Sequence, residues 1–184
     1  MPVPTPDPVT IRKSRPDDLP ALERLYRDAF PQEDLVPVVR ALTGPRADVL
    51  GLVATGEGDI PGEILGHVAF TLCGVDGPGS EAATVALLAP LAVDPARQRS
   101  RIGSALVREG LARMRARGAA HALVLGDPGY YGRFGFREET GIAPPHEIPD
   151  AWRPAWQGLS LADGAEPRGT LVAPEPWTRA ELWA

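Results

Sequence analysis

The sequence predicts an α/β fold: one domain with a mixed, mostly antiparallel sheet, helices on both faces and a splayed central strand pair. Three observations lead there. Val85 to Val93, VALLAPLAV, carries no charge and is too short to cross a bilayer, so it reads as a central strand covered on both faces. A turn, a helical stretch and a second apolar run, His121 to Gly126, follow it, and two strands joined through a helix run parallel. Ahead of it, 48–55 and 63–75 are separated by short glycine-rich turns, which implies antiparallel pairing.

Residues 1–8 are proline-rich and expected to be flexible. Val9 to Arg15 alternates as a first strand and stops at Pro16-Asp17. From there Leu19, Leu22, Leu25, Tyr26, Ala29 and Phe30 recur at helical spacing, with Asp17 or Asp18 as cap and Pro20 tolerated in the first turn. Leu35, Val38, Val39 and Leu42 form a second helical stripe that ends at Thr43-Gly44-Pro45. Asp48 to Thr55 reads as a strand, Gly56 to Gly62 as its turn and Glu63 to Val75 as a strand with two apolar faces. Pro90 removes a ladder donor from the central strand, which predicts a bulge or a parting of its neighbours at Ala89 to Leu91. Asp94-Pro95 ends that strand.

Gln98 to Gly103 leads into a helix over about 101–117. Its first-turn N–H groups have no internal partner and make a site for an anion such as phosphate. The helix carries Ile102, Leu106, Leu111 and Met114 inward, five arginines mostly outward, and Gly118 as its C-cap. A parted sheet beside a phosphate site suits a long, thin ligand. A short helix follows Pro128, and Phe136 begins another strand. From residue 138 to 184 the periodicity fades, and all four tryptophans lie there. At this length the stretch is too small for a domain of its own and reads as an appendage packed on a 9–137 core, with Gly169 to Ala173 as one more strand.

At 184 residues, 43% hydrophobic and 23% charged, the chain is globular. Its net charge of −5 argues against a general nucleic-acid binder and is compatible with cationic, amine-bearing substrates. No run approaches the ~20 apolar residues of a membrane helix, and the N-terminus lacks a signal-peptide pattern. A cytoplasmic location follows by default, as a monomer or homodimer without nucleic-acid or membrane partner. Cys73 allows no internal disulfide and reads as a small buried hydrophobe. His67, His121 and His146 are scattered, so no metal is expected. Neither a G-x-x-x-x-G-K-[ST] nor a G-x-S-x-G motif occurs.

V-D-P-x-x-Q at Val93 to Gln98, I-G-S-A-L at Ile102 to Leu106 and Y-Y-G-R-F-G-F at Tyr130 to Phe136 together resemble the GCN5-related N-acetyltransferase (GNAT) superfamily, over roughly 9–137. The tail is similar to that of its YhbS-like branch. The family's loop pattern, Gln/Arg-x-x-Gly-x-Gly/Ala, falls on Gln98, Arg99, Ser100, Arg101, Ile102 and Gly103. Arg101 stands where the middle glycine is usual, and Arg99 replaces a glycine that often follows the glutamine. Glycines there allow close backbone approach, whereas arginines bring charge that binds phosphate directly. The resemblance implies a GNAT-like domain that uses acetyl-CoA as co-substrate. Coenzyme contacts are then expected from Leu91, Ala92, Val93, Gln98, Arg99, Ser100, Arg101, Ile102, Gly103, Ser104 and Tyr130, and the reaction from N-acetyl transfer to a primary amine, small-molecule or peptide, by direct attack in a ternary complex.

That chemistry needs a donor for the carbonyl oxygen, a neutral amine and a proton for the leaving thiolate. Backbone N–H groups near Leu91 to Val93 suit the first. Tyr131 aligns with the tyrosine many family members use as general acid, and Tyr130 is its rival; either can instead be a core residue with its hydroxyl at the rim. A phenol is protonated at neutral pH and can protonate a nearby thiolate. Glu33, Asp34, His67 and Asp127 are candidate bases among which the sequence does not choose. The alternative reading is a non-catalytic acyl-CoA-binding or regulatory module with the same fold.

Overall fold

The strands and helices are numbered in chain order in a computed structural model that describes residues 8–57 and 62–184. The proline-rich segment up to Asp7 and the tip of the Gly56 to Gly62 turn lie outside the described residues. The chain forms two compact units, one from the residues up to 69 with 90–110, the other from 70–89 with 111–184.

In the first unit β1 (Val9–Lys13) runs antiparallel to β2 (Val49–Gly56), with Val9 opposite Gly56 and Lys13 opposite Leu52. The order continues through β3 (Ile64–Asp76) to β4 (Thr84–Val93). Helix α1 (Leu19–Ala29) buries Leu22, Leu25 and Tyr26, and α2 (Val36–Leu42) buries Val36, Val38, Val39 and Leu42, the stripes read from the spacing. Leu22, Leu25, Tyr26 and Val39 pack with Val53 of β2 and Ala92 of β4, which seats α1 over the end of the central strand. Asp18 is the N-cap of α1, yet its carboxylate makes no capping bond. It takes two 2.8 Å bonds from the Arg12 guanidinium and a 2.7 Å bond from the Arg15 amide, clamping β1 to the start of the helix.

On the opposite face of β3, α3 (Ile102–Ala116) begins against Gly66. A Cβ at Gly66 would lie 2.9 Å from Ile102 Cγ2, 3.0 Å from Leu106 Cδ1 and 3.2 Å from the Ala92 carbonyl oxygen. The missing side chain is what lets the first turns of α3 lie flat on the sheet beside the end of β4. Neighbouring residues of a strand face opposite ways, so Gly66 toward α3 and His67 toward α1 put helices on both faces.

In the second unit β4 pairs parallel with β5 (His121–Leu125), β5 antiparallel with β8 (Trp156–Ser160), and β8 antiparallel with β6 (Arg137–Glu138). Strand β9 (Gly169–Val172) adds antiparallel to the end of β3, and β7 (Ile142–Ala143) lies parallel to β9. The tail thus contributes a strand between β5 and β6, in addition to the strand read at 169–173. Three of the four tryptophans are buried with their indole N–H groups satisfied. Trp156 donates to the Ile142 carbonyl at 2.7 Å, Trp177 to the Thr71 hydroxyl at 3.0 Å and Trp183 to the Trp177 carbonyl at 3.0 Å. Each brings a large apolar area and one directed bond, so aromatic anchors hold a stretch that lacks amphipathic period. Trp152 stays exposed.

Candidate active site

The β4–β5 ladder runs from Val85 opposite His121 to Leu87 opposite Leu123 and stops, although β4 continues to Val93 and β5 to Leu125. Unpairing therefore begins at Leu88, just before the Ala89 to Leu91 window that Pro90 suggested. The cause lies in β5, which stays paired with β8 through Leu125 opposite Trp156 while the Gly126 amide donates to the Ala155 carbonyl. The end of β5 follows the tail strand, while its ladder with β4 goes no further than Leu87 opposite Leu123.

At the end of β4 the Asp94 amide donates to the Leu65 carbonyl at 2.9 Å, and its carboxylate caps a single 3-10 turn by accepting from the Ala96 amide at 2.8 Å. Gln98 is extended, and the Ser100 hydroxyl donates to the Arg97 carbonyl. Arg99 and Arg101 follow at φ of 64° and 68°. These are left-handed conformations, costing an L-residue about 1–2 kcal/mol each. The Ala105 amide donates to the Arg101 carbonyl, so the amides of Ile102, Gly103 and Ser104 precede the first bond of the helix and have no acceptor within it. Glycine adopts this conformation without strain, but here two arginines hold it and add guanidinium groups to the loop. Both arginines are exposed, and neither guanidinium has a hydrogen bond or ion pair among the described residues.

Tyr131 ends a four-residue helix, α4 (Pro128–Tyr131), capped by the Asp127 carboxylate on the Gly129 amide at 2.9 Å. Its ring is held edge-on by Tyr130 at 4.9 Å and Phe136 at 5.8 Å. A Cβ at Gly126 would lie 2.4 Å from the ring, so the glycine makes the slot in which it sits. Tyr131 is 9% exposed, and its hydroxyl has no hydrogen-bond partner among the described residues. Burial, helped by the neighbouring Tyr130, pushes the phenol above its ordinary pKa and keeps it protonated. Tyr130 is half-buried, and the Arg133 guanidinium lies 4.4 Å from its ring centre.

The candidate bases separate on burial. Glu33 and Asp34 are exposed, and Asp127 is spent on its cap. His67 is buried, with Nδ1 2.8 Å from the Tyr26 hydroxyl. Desolvation, only partly opposed by Asp18, lowers its pKa to about 4, so the ring is neutral at pH 7. A His depressed in the folded state stabilises above its unfolded value and loses that contribution as pH falls through the folded one. Stability is therefore expected to drop by about 3 kcal/mol between roughly pH 6.5 and 4, with the upper part of the fall ahead of the carboxylates. Chemical denaturation across that range checks this, and His67→Gln should flatten the upper part.

A further buried pair lay outside what the sequence suggested. His121 Nε2 is 2.7 Å from a Glu139 carboxylate oxygen, while the other oxygen accepts from the amides of Gly141 at 2.6 Å and Ile142 at 3.0 Å. Gly158 leaves the space they occupy, since a Cβ there would lie 2.0 Å from the carboxylate. A pocket of about 400 Å³ in the first unit opens beside the start of the loop, at Asp94 and Pro95, and is lined also by Asp17, Asp28 and Glu63. Among the described residues no group of three or more histidine, cysteine or acidic side chains is placed to hold a metal, and no helix is long and apolar enough to cross a membrane.

The acetyltransferase (GNAT) domain profile matches residues 10–138. The chain is 36% identical to the uncharacterized N-acetyltransferase YhbS of Escherichia coli over 158 residues, which is 84% of this chain and 89% of that one. The crystal structure of E. coli YhbS in complex with CoA superposes with a TM-score of 0.75 at 32% identity, over 94% of this chain and 95% of the other. A GNAT acetyltransferase from Brucella melitensis in complex with acetyl-CoA gives a TM-score of 0.70 at 32% identity, over 91% and 97%. With the profile spanning most of the chain and a relative 36% identical over 84% of it, the chain belongs to the GNAT family of acetyltransferases.

Proposed function

We propose that the protein transfers the acetyl group of acetyl-CoA to a primary amine, small-molecule or peptide, by direct attack in a ternary complex. The observation that carries this is the loop from Gln98 to Ser104, in which Arg99 and Arg101 take the positive φ that glycine adopts readily, ahead of α3 amides that have no acceptor within the helix. Those amides, at Ile102, Gly103 and Ser104, hold the pyrophosphate, with Gln98 and Ser100 beside it. The crystallised relatives with CoA and acetyl-CoA support the fit.

Along β4, the stretch beyond its ladder with β5 receives the pantetheine arm at Leu91, Ala92 and Val93. An N–H there polarises the thioester carbonyl, a contribution of about 2.7–4 kcal/mol for a preorganised donor. The amine nitrogen forms its bond to the carbonyl carbon as the carbon–sulfur bond breaks. Tyr131 gives its proton to the departing sulfur, the nitrogen loses one to solvent, and the phenol is reprotonated from water. A locked ring, a hydroxyl without a competing partner among the described residues and a raised pKa support Tyr131 for the role. Tyr130, against Arg133, lines the coenzyme side.

A thiol-release screen of the purified protein with acetyl-CoA against small amines, aminoglycosides, amino acids and peptide N-termini tests the proposal. Amine-dependent release by at least one class is the expected result. Coenzyme binding without release for any acceptor would favour the non-catalytic module instead.

A further inference from the structure

Gln157 is a buried polar residue for which the transfer reaction, as derived above, has no use. It lies in β8 between Val124 of β5 and Glu138 of β6 and is 1% exposed. A buried amide costs stability unless its hydrogen bonds are made, whereas an apolar side chain fills a strand position between two others without that cost. Here the amide is spent at one point. Its Nε2 donates to the Gly126 carbonyl at 3.0 Å and, over a longer 3.4 Å, to the Ala155 carbonyl. Two carbonyls at one end of an amide fix its orientation, because the oxygen end has no proton to give them.

That point is the end of the β5–β8 ladder. The last residue pair is Leu125 opposite Trp156, and the Gly126 amide adds one bond to the Ala155 carbonyl at 2.9 Å. The Gly126 carbonyl lies past the ladder and takes its donor from Gln157, so one side chain ties both strand ends together. Gly126 is in turn the wall against which Tyr131 rests: a Cβ there would lie 2.4 Å from Cε2 and 2.9 Å from Cδ2 of the ring. Tyr130, Phe134 and Phe136 also flank the ring, with centroids 4.9, 6.4 and 5.8 Å away, but they belong to the segment that carries it. Gly126 ties the ring to the sheet.

We infer that Gln157 is a positioning residue for the transfer reaction: by fixing the Gly126 backbone behind the ring, its amide sets where the Tyr131 hydroxyl lies. The tail strand thus reaches the proton donor through one side chain. The inference rests on the proposed reading of Tyr131 as the acid, and it adds which residue holds the acid in place.

Gln157→Met, which keeps the length of the side chain and removes the donor, tests it in the wild-type and Tyr131→Phe backgrounds. Turnover is read as thiol release with acetyl-CoA and the amine class that the screen identifies. Misplacing a reacting group by about 1 Å costs about 10²-fold, so kcat should fall about ten- to a hundredfold in the wild-type background, with CoA affinity within about twofold. In Tyr131→Phe no hydroxyl is left to misplace, and the further fall should stay under about threefold. Tyrosine-ring NMR gives a readout apart from turnover: of the three tyrosines, Tyr131, assigned by the loss of its signals in Tyr131→Phe, should shift, and Tyr26 should not. Trp177→Phe gives up a buried bond to the Thr71 hydroxyl elsewhere in the tail; as the control for lost stability it should lower Tm and leave kcat in place.

An unchanged kcat or unmoved Tyr131 signals in Gln157→Met overturn the inference, as does an equal fold-loss in both backgrounds or a matching loss in Trp177→Phe. If Tyr131→Phe itself keeps its kcat, the acid reading fails and takes the inference with it. A loss there with none in Gln157→Met sinks the inference alone. Should Gln157→Met not fold, Gly126→Ala presses on the same ring directly. A loss confined to the background that retains Tyr131 then supports the inference, and normal turnover overturns it.

Discussion

Tyr131→Phe is expected to lower kcat by about 10² to 10⁴ while coenzyme affinity changes little, the signature of a lost general acid. The substitution removes one oxygen. The ring, wedged between Tyr130 and Phe136 over Gly126, keeps its packing, and no described residue loses a hydrogen bond. Lost structure would appear in the melting temperature and lost binding in the CoA isotherm, so a fall confined to kcat isolates proton donation. Tyr130→Phe is the control and should lose far less. Because burial raises the Tyr131 pKa, the phenol stays protonated across the pH range in which amines become reactive, and wild-type kcat should rise with pH as the acceptor loses its proton. Equal, mild losses in both variants, with folding intact, would remove Tyr131 from the mechanism and leave water or the thiolate's own stability to serve.

The largest stability effect should come from Glu139→Ala. In the folded protein that carboxylate accepts from His121 Nε2 and from the Gly141 and Ile142 amides, and its side chain is 9% exposed. Removing it strips the partner from three donors, of which the His121 ring and the Ile142 amide are buried. His121 Nδ1 already lacks a partner among the described residues, so the ring would be left with none. Leaving buried donors without an acceptor costs about 1–3 kcal/mol each, which summed over this site lowers Tm by roughly 10 °C in a chain of this size. Burial pushes the Glu139 carboxyl up, but the bonds from His121, Gly141 and Ile142 outweigh it and hold the group below its usual range. A carboxylate depressed in this way stabilises above its unfolded pKa and loses that contribution as pH falls through the folded value. Glu139→Gln and the wild type should therefore converge in acid. A loss below about 1 kcal/mol in Glu139→Ala would show that solvent replaces the carboxylate.

Parts of this arrangement are legible in the sequence and parts are not, for physical reasons. An unbroken apolar run such as Val85 to Val93 has few alternatives to a central strand, and the stripes at Leu22, Leu25, Tyr26 and at Val38, Val39, Leu42 report helices because burial selects one face. Pro90 marked the neighbourhood of the parting, but its start at Leu88 depends on β5 following β8, a partner some thirty residues later in the chain. Strand β8, WQGLS, is not legible in the sequence because five residues with a central glycine have no detectable period and gain their stability from pairing on both sides. The left-handed turns at Arg99 and Arg101 were hidden for another reason. Arginine gives no local signal for positive φ, whereas glycine does. Pairs such as Tyr26 with His67, 41 positions apart, and His121 with Glu139 join residues whose separation has no periodic meaning.

A crystal structure of the protein with CoA tests the central claim most directly. The account predicts the pyrophosphate on the amides of Ile102, Gly103 and Ser104, the pantetheine arm along β4 from Leu91 to Val93, and the sulfur within hydrogen-bond reach of the Tyr131 hydroxyl. A coenzyme seated away from the Gln98 to Ser104 loop, or a sulfur remote from Tyr131 and facing another protonated side chain, would contradict it.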